Sequence, residues 1–254
     1  MNRSLGGGGS LLFSLQPDKA IINDLNPMLI NLYGQIRDSC NSLIELLSQM
    51  QIKFNSMQSD EDKSAYYYSI REQFNDCLRC NEYTDESAAM FIFLNKLGFN
   101  GLYRLNGNGL FNVPFNRNRS VTLFNKRNIE NMSDYLKSSV DILCGDFYSA
   151  CDTAQYGDFI FFDSPYYNTF DRYQSGGFTE QDHLRLHNLF TSLTERGCLC
   201  MLTNSDCDYI RTLYAGFNAK QINVKRMINC DAKNRTGSEL IITNYDYDAG
   251  GTLF

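Results

Sequence analysis

Gly157-Asp158-Phe159-Ile160-Phe161-Phe162-Asp163-Ser164-Pro165-Tyr166-Tyr167 decides how this chain is read. An apolar run of the length of a buried strand ends abruptly in a carboxylate, a small residue, a proline and an aromatic ring. In open α/β sheets reactive groups gather at the carboxyl ends of strands, so the pattern predicts Asp163 at the lip of a cleft. Pro165 has no N–H and biases Ser164 towards extended backbone, which leaves the local carbonyls outside any ladder and able to accept. Tyr166 adds a flat face beside them. A carboxylate, an aimed carbonyl and an aromatic plate suit a planar ligand with an exocyclic amine, such as a flipped adenine or cytosine. An ordinary strand-to-loop exit has the same sequence, so the flanking chain has to choose.

On the C-terminal side, Tyr173-Gln174-Ser175-Gly176-Gly177-Phe178 reads as a loop, and Thr179 with Asp182 as the capped start of a helix running to about residue 195. Gly197 ends that helix. A buried strand over 198–204 exits through Thr203 and Asn204, followed by a helix over 208–214 and strands over 217–227 and 239–243. A basic loop between those strands carries Lys233 and Arg235. On the N-terminal side, helical patterns cover 28–50 and 64–97, with Tyr66-Tyr67-Tyr68 and Phe91-Ile92-Phe93-Leu94 as core. A helix near 129–137 leads into the strand Val140-Asp141-Ile142-Leu143-Cys144. Strands alternating with helices on both sides of Asp163 predict an α/β fold with a mostly parallel, helix-covered sheet.

Composition sets the outer limits. A chain of 254 residues buries a full core. Its net charge of −6 argues against nonspecific binding by the whole surface. No apolar run reaches the length of a membrane span, no signal pattern opens the chain, and a cytoplasmic protein without membrane contact is expected. The nine cysteines are scattered through apolar stretches and read as reduced, buried thiols. Cys77-x-x-Cys80 stands without a second pair, and the spacing of His183 and His187 is expected on a solvated helix face, so no metal site is expected.

Three further stretches carry candidate chemistry. Gly6-Gly7-Gly8-Gly9-Ser10 before Leu11-Leu12-Phe13 permits a tight turn and close backbone approach to a ligand at a helix start, although a flexible linker has the same composition. The run 19–24 ends in Asp24, an acid at a strand end placed to hold a ribose, or else a helix cap. Gly145-Asp146-Phe147 follows the strand 140–144 and could bind an adenine through carboxylate and ring, though a turn with a core Phe reads the same.

The segment 96–127 differs from all of these. It holds Lys96, Arg104, Arg117, Arg119, Lys126 and Arg127, while no Asp or Glu occurs between Glu86 and Glu130. In an acidic chain this is an electrostatic footprint for an anion. It is also rich in Asn, which can read adenine edges where Arg reads guanine. Residues 102–105 and 110–113 flank Asn106-Gly107-Asn108-Gly109 in the manner of a β-hairpin.

Seven motifs in one order make the chain resemble the Dam-type N6-adenine DNA methyltransferases. They are Gly7-Gly8-Gly9-Ser10, Asn23-Asp24-Leu25-Asn26-Pro27, the run 94–104 (Leu-Asn-Lys-Leu-Gly-Phe-Asn-Gly-Leu-Tyr-Arg), Phe111-Asn112-Val113-Pro114-Phe115, Gly145-Asp146-Phe147, Asp163-Ser164-Pro165-Tyr166 and Glu239-Leu240-Ile241-Ile242-Thr243-Asn244-Tyr245. The resemblance implies a Rossmann-like methyltransferase sheet (1–50 and 139–245, with 246–254 as a tail). It also implies an inserted helical and hairpin target-recognition domain over 51–138, its hairpin near 102–113.

It further implies S-adenosylmethionine as donor, held by Gly7, Gly8, Gly9, Asp24, Asp146 and Phe147, and double-stranded DNA as partner, contacted by Arg104, Asn106, Asn112, Pro114, Arg117, Arg119 and Lys126. Asp163, Ser164, Pro165 and Tyr166 would form the catalytic motif, acting on adenine N6 in a specific sequence of the GATC kind. A restriction endonuclease counterpart is an expected partner. The family's usual motif has Pro where Ser164 stands. Its usual N-terminal segment, containing a Trp, has no equivalent here, since the chain has no Trp. The rival expectation is therefore a catalytically impaired DNA-binding remnant. An RNA or small-molecule methyltransferase fits the hairpin insertion less well.

Overall fold

The computed structural model describes residues 2–5, 9–167, 178–225 and 236–246. In chain order these form β1 (Asn2–Leu5), α1 (Ser10–Leu15), β2 (Ala20–Asp24), α2 (Pro27–Asp38), α3 (Cys40–Ser56), α4 (Asp60–Cys80), α5 (Asp85–Leu97), α6 (Lys126–Ser139), β3 (Val140–Cys144), α7 (Phe147–Cys151), β4 (Phe159–Asp163), α8 (Glu180–Glu195), β5 (Leu199–Ser205), α9 (Asp208–Leu213), β6 (Asn218–Lys225) and β7 (Thr236–Thr243). They gather into two compact units: the chain up to Asp24 together with the chain from Gly145 onward, and Leu25–Cys144 between them. Gly7 and Gly8, the loop 173–177 and the basic loop residues Lys233 and Arg235 lie outside the described residues.

The strands of the first unit lie in the order β2-β1-β4-β5-β7-β6. β2, β1, β4 and β5 are parallel, and β7 runs antiparallel between β5 and β6. This is the α/β architecture read from the alternation of elements. β2 adds to one side of β1, whereas β4 and β5 add to the other, so the sheet changes its direction of growth between β1 and β4. In sheets of this kind ligands bind outside the carboxyl ends of the strands at that reversal.

β4 is the strand expected from its sequence. Phe159, Ile160 and Phe162 are buried, as a strand covered on both faces requires. Over it lies α8, whose Leu186, Leu189, Phe190 and Leu193 recur at helical spacing and pack with Ile160, Phe162, Cys200, Leu202, Leu240 and Ile242. The predicted cap is present: the Thr179 hydroxyl accepts from the Asp182 N–H at 3.2 Å, and Asp182 accepts from the Thr179 N–H at 2.9 Å.

The second unit packs α2 to α6 around Phe54, Tyr67, Phe74, Phe93, Leu43, Leu47, Leu94 and Leu97. Two helical stretches read as continuous are each divided. The first breaks at Ser39, between α2 and α3. The second breaks where Asn81 takes the left-handed conformation at φ 54° and Thr84 caps α5. Asn tolerates that conformation, and its carbonyl-seeking backbone ends α4 without a glycine. Tyr68, read as core, is exposed, while Tyr67 is buried.

After α5 an extended arm crosses these helices. Phe111, Val113 and Phe115 are buried while Pro114 and Asn116 are exposed, the period-two pattern of a strand. Part of its backbone pairs with the preceding chain, as where the Asn116 N–H donates to the Leu97 carbonyl at 2.9 Å and the Phe99 N–H to the Pro114 carbonyl at 2.9 Å, and helix side chains satisfy other groups. Asn75 donates to the Phe111 carbonyl at 3.2 Å and accepts its N–H at 2.8 Å. Asn55 does the same for Val121, both at 2.9 Å. Tyr67 reaches the Val113 carbonyl at 3.0 Å, and buried Lys63 reaches the Arg119 carbonyl at 2.6 Å.

Candidate active site

β4 delivers Asp163 at its carboxyl end, in register with Thr203 on β5. The Thr203 hydroxyl donates to Asp163 Oδ1 at 3.2 Å. Burial raises the Asp163 pKa above the ordinary carboxylate range. The Thr203 hydrogen bond pulls the other way, and the nearby Glu239 carboxylate adds to the rise. A half-buried acid in this setting is a functional-site signature, because packing alone would prefer a neutral side chain there.

The chain beyond Asp163 is pinned to the end of β5. Fully buried Asn204 accepts the Tyr167 N–H on Oδ1 at 2.9 Å, and its amide nitrogen donates to Ser164 Oγ at 3.4 Å. Ser205 Oγ donates to the Tyr167 carbonyl at 2.7 Å. The exposed Pro165 between these anchors has no N–H to lose, and its carbonyl accepts no hydrogen bond from any described residue. Tyr166 donates its hydroxyl to Glu239 Oε2 at 3.1 Å, and burial, with that anion adding to it, pushes its pKa up to about 12. The phenol therefore remains a donor at neutral pH.

Behind this loop, Tyr167 stacks on Tyr209 at 4.3 Å and donates its hydroxyl to Glu180 at 2.7 Å. His183, expected on a solvated face, is instead buried, edge-on to Phe178 at 4.7 Å and Tyr167 at 5.5 Å. Burial lowers its pKa. The ring of Phe178, just before α8, and those of Tyr167 and Tyr209 surround it.

For a nucleoside-bearing donor, the groups at the ends of β1 and β2 fit. Gly9 is buried and left-handed at φ 65° as it opens α1, a turn open to glycine and costly for other residues. Asp24 ends β2, where a carboxylate can accept from ribose hydroxyls. Asn23 and Asp24 also hold the chain at Gly145: Asn23 Nδ2 donates to its carbonyl at 2.8 Å and its N–H donates to the Asp24 carbonyl at 3.2 Å. Asp146 caps α7 by accepting the Tyr148 N–H at 2.9 Å and binds Arg185 at 3.0 Å. The Arg185 guanidinium lies 5.1 Å from the centre of the Phe147 ring. The structure thus fixes Asp146 and Phe147 through a shared arginine, and both carboxylate oxygens already carry a donor.

The sequence-predicted nucleic-acid residues lie in the other unit. The hairpin takes the form of a turn closed by one antiparallel bridge, Leu105 to Phe111. Asn106 builds that turn, its Oδ1 accepting the N–H groups of Asn108 at 2.9 Å and Leu110 at 3.1 Å. Arg104 is exposed, with Nε donating to Asn112 Oδ1 at 2.8 Å. Pro114, Arg117, Arg119 and Lys126 are exposed along the arm and at the start of α6, where Lys126 pairs with Glu130 at 3.7 Å.

Sequence reading missed Thr203, Asn204, Glu239 and Arg185 as site residues. Only the polar exit of β5 hinted at the first two. Glu239 stands in a quoted motif, but nothing local shows that β7 turns it towards Tyr166.

The profile of the D12 class N6 adenine-specific DNA methyltransferase family matches residues 6–228. The chain is 38% identical to the type II methyltransferase M.MjaIII of Methanocaldococcus jannaschii, over 95% of this chain and 86% of that one. It is likewise 38% identical to the type II methyltransferase M1.LlaDCHI of Lactococcus lactis subsp. cremoris, over 94% and 84%. It is 28% identical to a DNA adenine methylase of Haemophilus influenzae, over 90% and 78%. With an acid and an open carbonyl at the end of β4 and this likeness across nearly its whole length, the chain belongs to the D12 class of N6 adenine-specific DNA methyltransferases.

Proposed function

We propose that Asp163 and the Pro165 carbonyl accept the two N6 hydrogens of a target adenine flipped out of duplex DNA, while Tyr166 stacks on its ring and Ser164 keeps the short loop in place. The observation that carries this is the pair of open acceptors. Thr203 occupies one oxygen of Asp163, the other faces no described donor, and the Pro165 carbonyl, between two anchored residues, accepts from none of the described residues. Two acceptors aimed at one amine hold its lone pair out of conjugation with the ring and available as a nucleophile. In its carboxylate form Asp163 would stabilise the positive charge that grows on N6.

S-adenosylmethionine, when bound, supplies the electrophilic methyl group. Gly7, Gly8 and Gly9 would face its methionine end, Asp24 its ribose, and Asp146 with Phe147 its adenine, Arg185 orienting that last pair. The fold reading that goes with these roles is a Rossmann-like methyltransferase sheet with a target-recognition insertion.

For the insertion, the proposal is duplex contact through Arg104, Asn106, Asn112, Pro114, Arg117, Arg119 and Lys126, on a specific site of the GATC kind. Its support is an acid-free, basic arm held rigidly by Asn75, Asn55, Tyr67 and Lys63. The type II names of two relatives motivate a further proposal, a restriction endonuclease partner that recognises the same sequence.

Incubating duplexes that contain or lack GATC with methyl-labelled S-adenosylmethionine, then separating the nucleosides, tests the reading. N6-methyladenine is expected in a sequence-dependent manner, and its loss in Asp163→Ala. Label in cytosine, or equal labelling of all sequences, would refute it.

A further inference from the structure

Tyr166 leaves the Asp163 loop with its hydroxyl tied to a carboxylate from another part of the sheet. Glu239 lies on β7, opposite Ser205 on β5, and its Oε2 accepts the Tyr166 hydroxyl at 3.1 Å. Thr203, two residues before Ser205 on the same strand, donates to Asp163. Adjacent strands therefore brace both flanks of Pro165: β5 holds the acid, and β7 holds the aromatic ring. We propose that Glu239 is a positioning residue for methyl transfer, fixing the Tyr166 ring so that it can stack on the extruded adenine. This rests on the reading of Tyr166 given above.

A phenol free to turn about two side-chain bonds samples several rotamers, and ordering it on the base costs entropy at the moment of reaction. A charge-assisted hydrogen bond to Glu239 pays that cost during folding instead. Gln at 239 retains an acceptor oxygen for the phenol and removes only the charge, whereas Ala removes both. The proposal routes the positioning effect through the Tyr166 hydroxyl, so that effect vanishes when the hydroxyl is absent, whereas any influence of the Glu239 charge on Asp163 would persist.

The test is single-turnover methylation of a duplex with one target adenine, alongside the fluorescence of a duplex carrying 2-aminopurine at that position, for wild type, E239A, E239Q, Y166F and Y166F/E239A. E239A is expected to slow transfer about tenfold and to change the aminopurine signal, with donor affinity by calorimetry unaltered. E239Q is expected to recover to within about threefold of wild type, and Y166F/E239A to match Y166F. Three results would overturn the proposal: E239A as fast as wild type, E239Q as slow as E239A, or an undiminished effect of E239A in the Y166F background. Should E239A fail to fold, E239Q near wild type beside a slow Y166F supports the proposal, and any other order of these two overturns it. A wild-type protein that forms no N6-methyladenine overturns the reading of the site as well, whereas an active wild type with an indifferent E239A overturns this inference alone.

Discussion

Replacing Asp163 with Asn should stabilise the fold while disabling the reaction. Asp163 has a pKa raised chiefly by burial and further by Glu239, with only the Thr203 hydroxyl opposing. An acid whose pKa is higher in the folded state makes folding most favourable in acid, and that contribution is lost as pH rises through the raised value. Above the raised value the wild type carries a charged, half-buried carboxylate that Asn does not. Discounted for solvent screening, the gain is about 0.5–1 kcal/mol, or roughly 2–3 °C in melting temperature for a chain of this size. The gap should close as pH falls below the ordinary carboxylate range.

The same change removes the acceptor proposed to take an N6 hydrogen of the target adenine. With Asn Oδ1 kept on the Thr203 hydroxyl, the amide NH2 takes the place of the second oxygen and meets the adenine amine donor to donor. Loss of a hydrogen bond to a charged group costs about 1.5–3 kcal/mol, so transfer should slow about tenfold to a hundredfold. Melting followed by circular dichroism at several pH values, and single-turnover methylation, measure the two halves. A variant that melts below wild type at neutral pH would refute the account of Asp163 as a strained acid, and full activity would refute its role as acceptor.

Other perturbations probe the scaffold and the arm. Asn75→Ala strands the N–H and carbonyl of buried Phe111 and should cost about 2–3 kcal/mol in denaturant unfolding, a loss under about 0.5 kcal/mol showing that the arm does not depend on this bond. Arg119→Ala should weaken duplex binding evenly across sequences and lower the slope of log affinity against log salt by about one; a sequence-selective loss would instead make Arg119 a base reader. Gly197→Ala places a methyl against the Tyr156 ring at φ 76°. Because Tyr156 is 87% exposed and can swing aside, the cost should be the backbone's alone, about 1–2 kcal/mol in thermal melting.

What could be read from the sequence was whatever repeats locally. β4 is legible because a strand buried on both faces leaves an unbroken apolar run, and the start of α8 because a Thr–Asp capping box is a local signature. The break between α4 and α5 was hidden because its terminator is Asn81 rather than Gly, and because Ser87 closes the α5 capping box where Glu or Gln is usual. Thr203 and Glu239 were hidden for a different reason. Their importance comes from register between strands, and β7 enters antiparallel between β5 and β6, so chain order gives no hint that residue 239 stands near residue 166. The burial of His183 is not legible locally because two of the rings around it, Tyr167 and Tyr209, come from other segments of the chain.

The asparagines of the acid-free segment show how composition names residues without showing which of their atoms are already engaged. Abundant Asn beside Arg invites a reading in which each amide meets a base. Yet Asn106 Oδ1 is spent on its own turn, and Asn112 Oδ1 on Arg104 Nε. What emerges is an exposed guanidinium braced through Nε, with no hydrogen bond from its two terminal nitrogens to any described residue. Bidentate reading of guanine O6 and N7 uses two donors held in a fixed plane. An arginine locked at Nε meets that need with less entropy to lose than a free one. On the proposed reading, in which this turn meets DNA, the amides would act mainly by shaping what the arginine presents, and Asn112→Ala should blunt sequence preference through Arg104 while leaving the phosphate-dominated salt slope nearly unchanged. Competition binding of cognate against single-mismatch duplexes measures this, and a fall in salt slope without loss of discrimination would show that Asn112 meets the backbone itself.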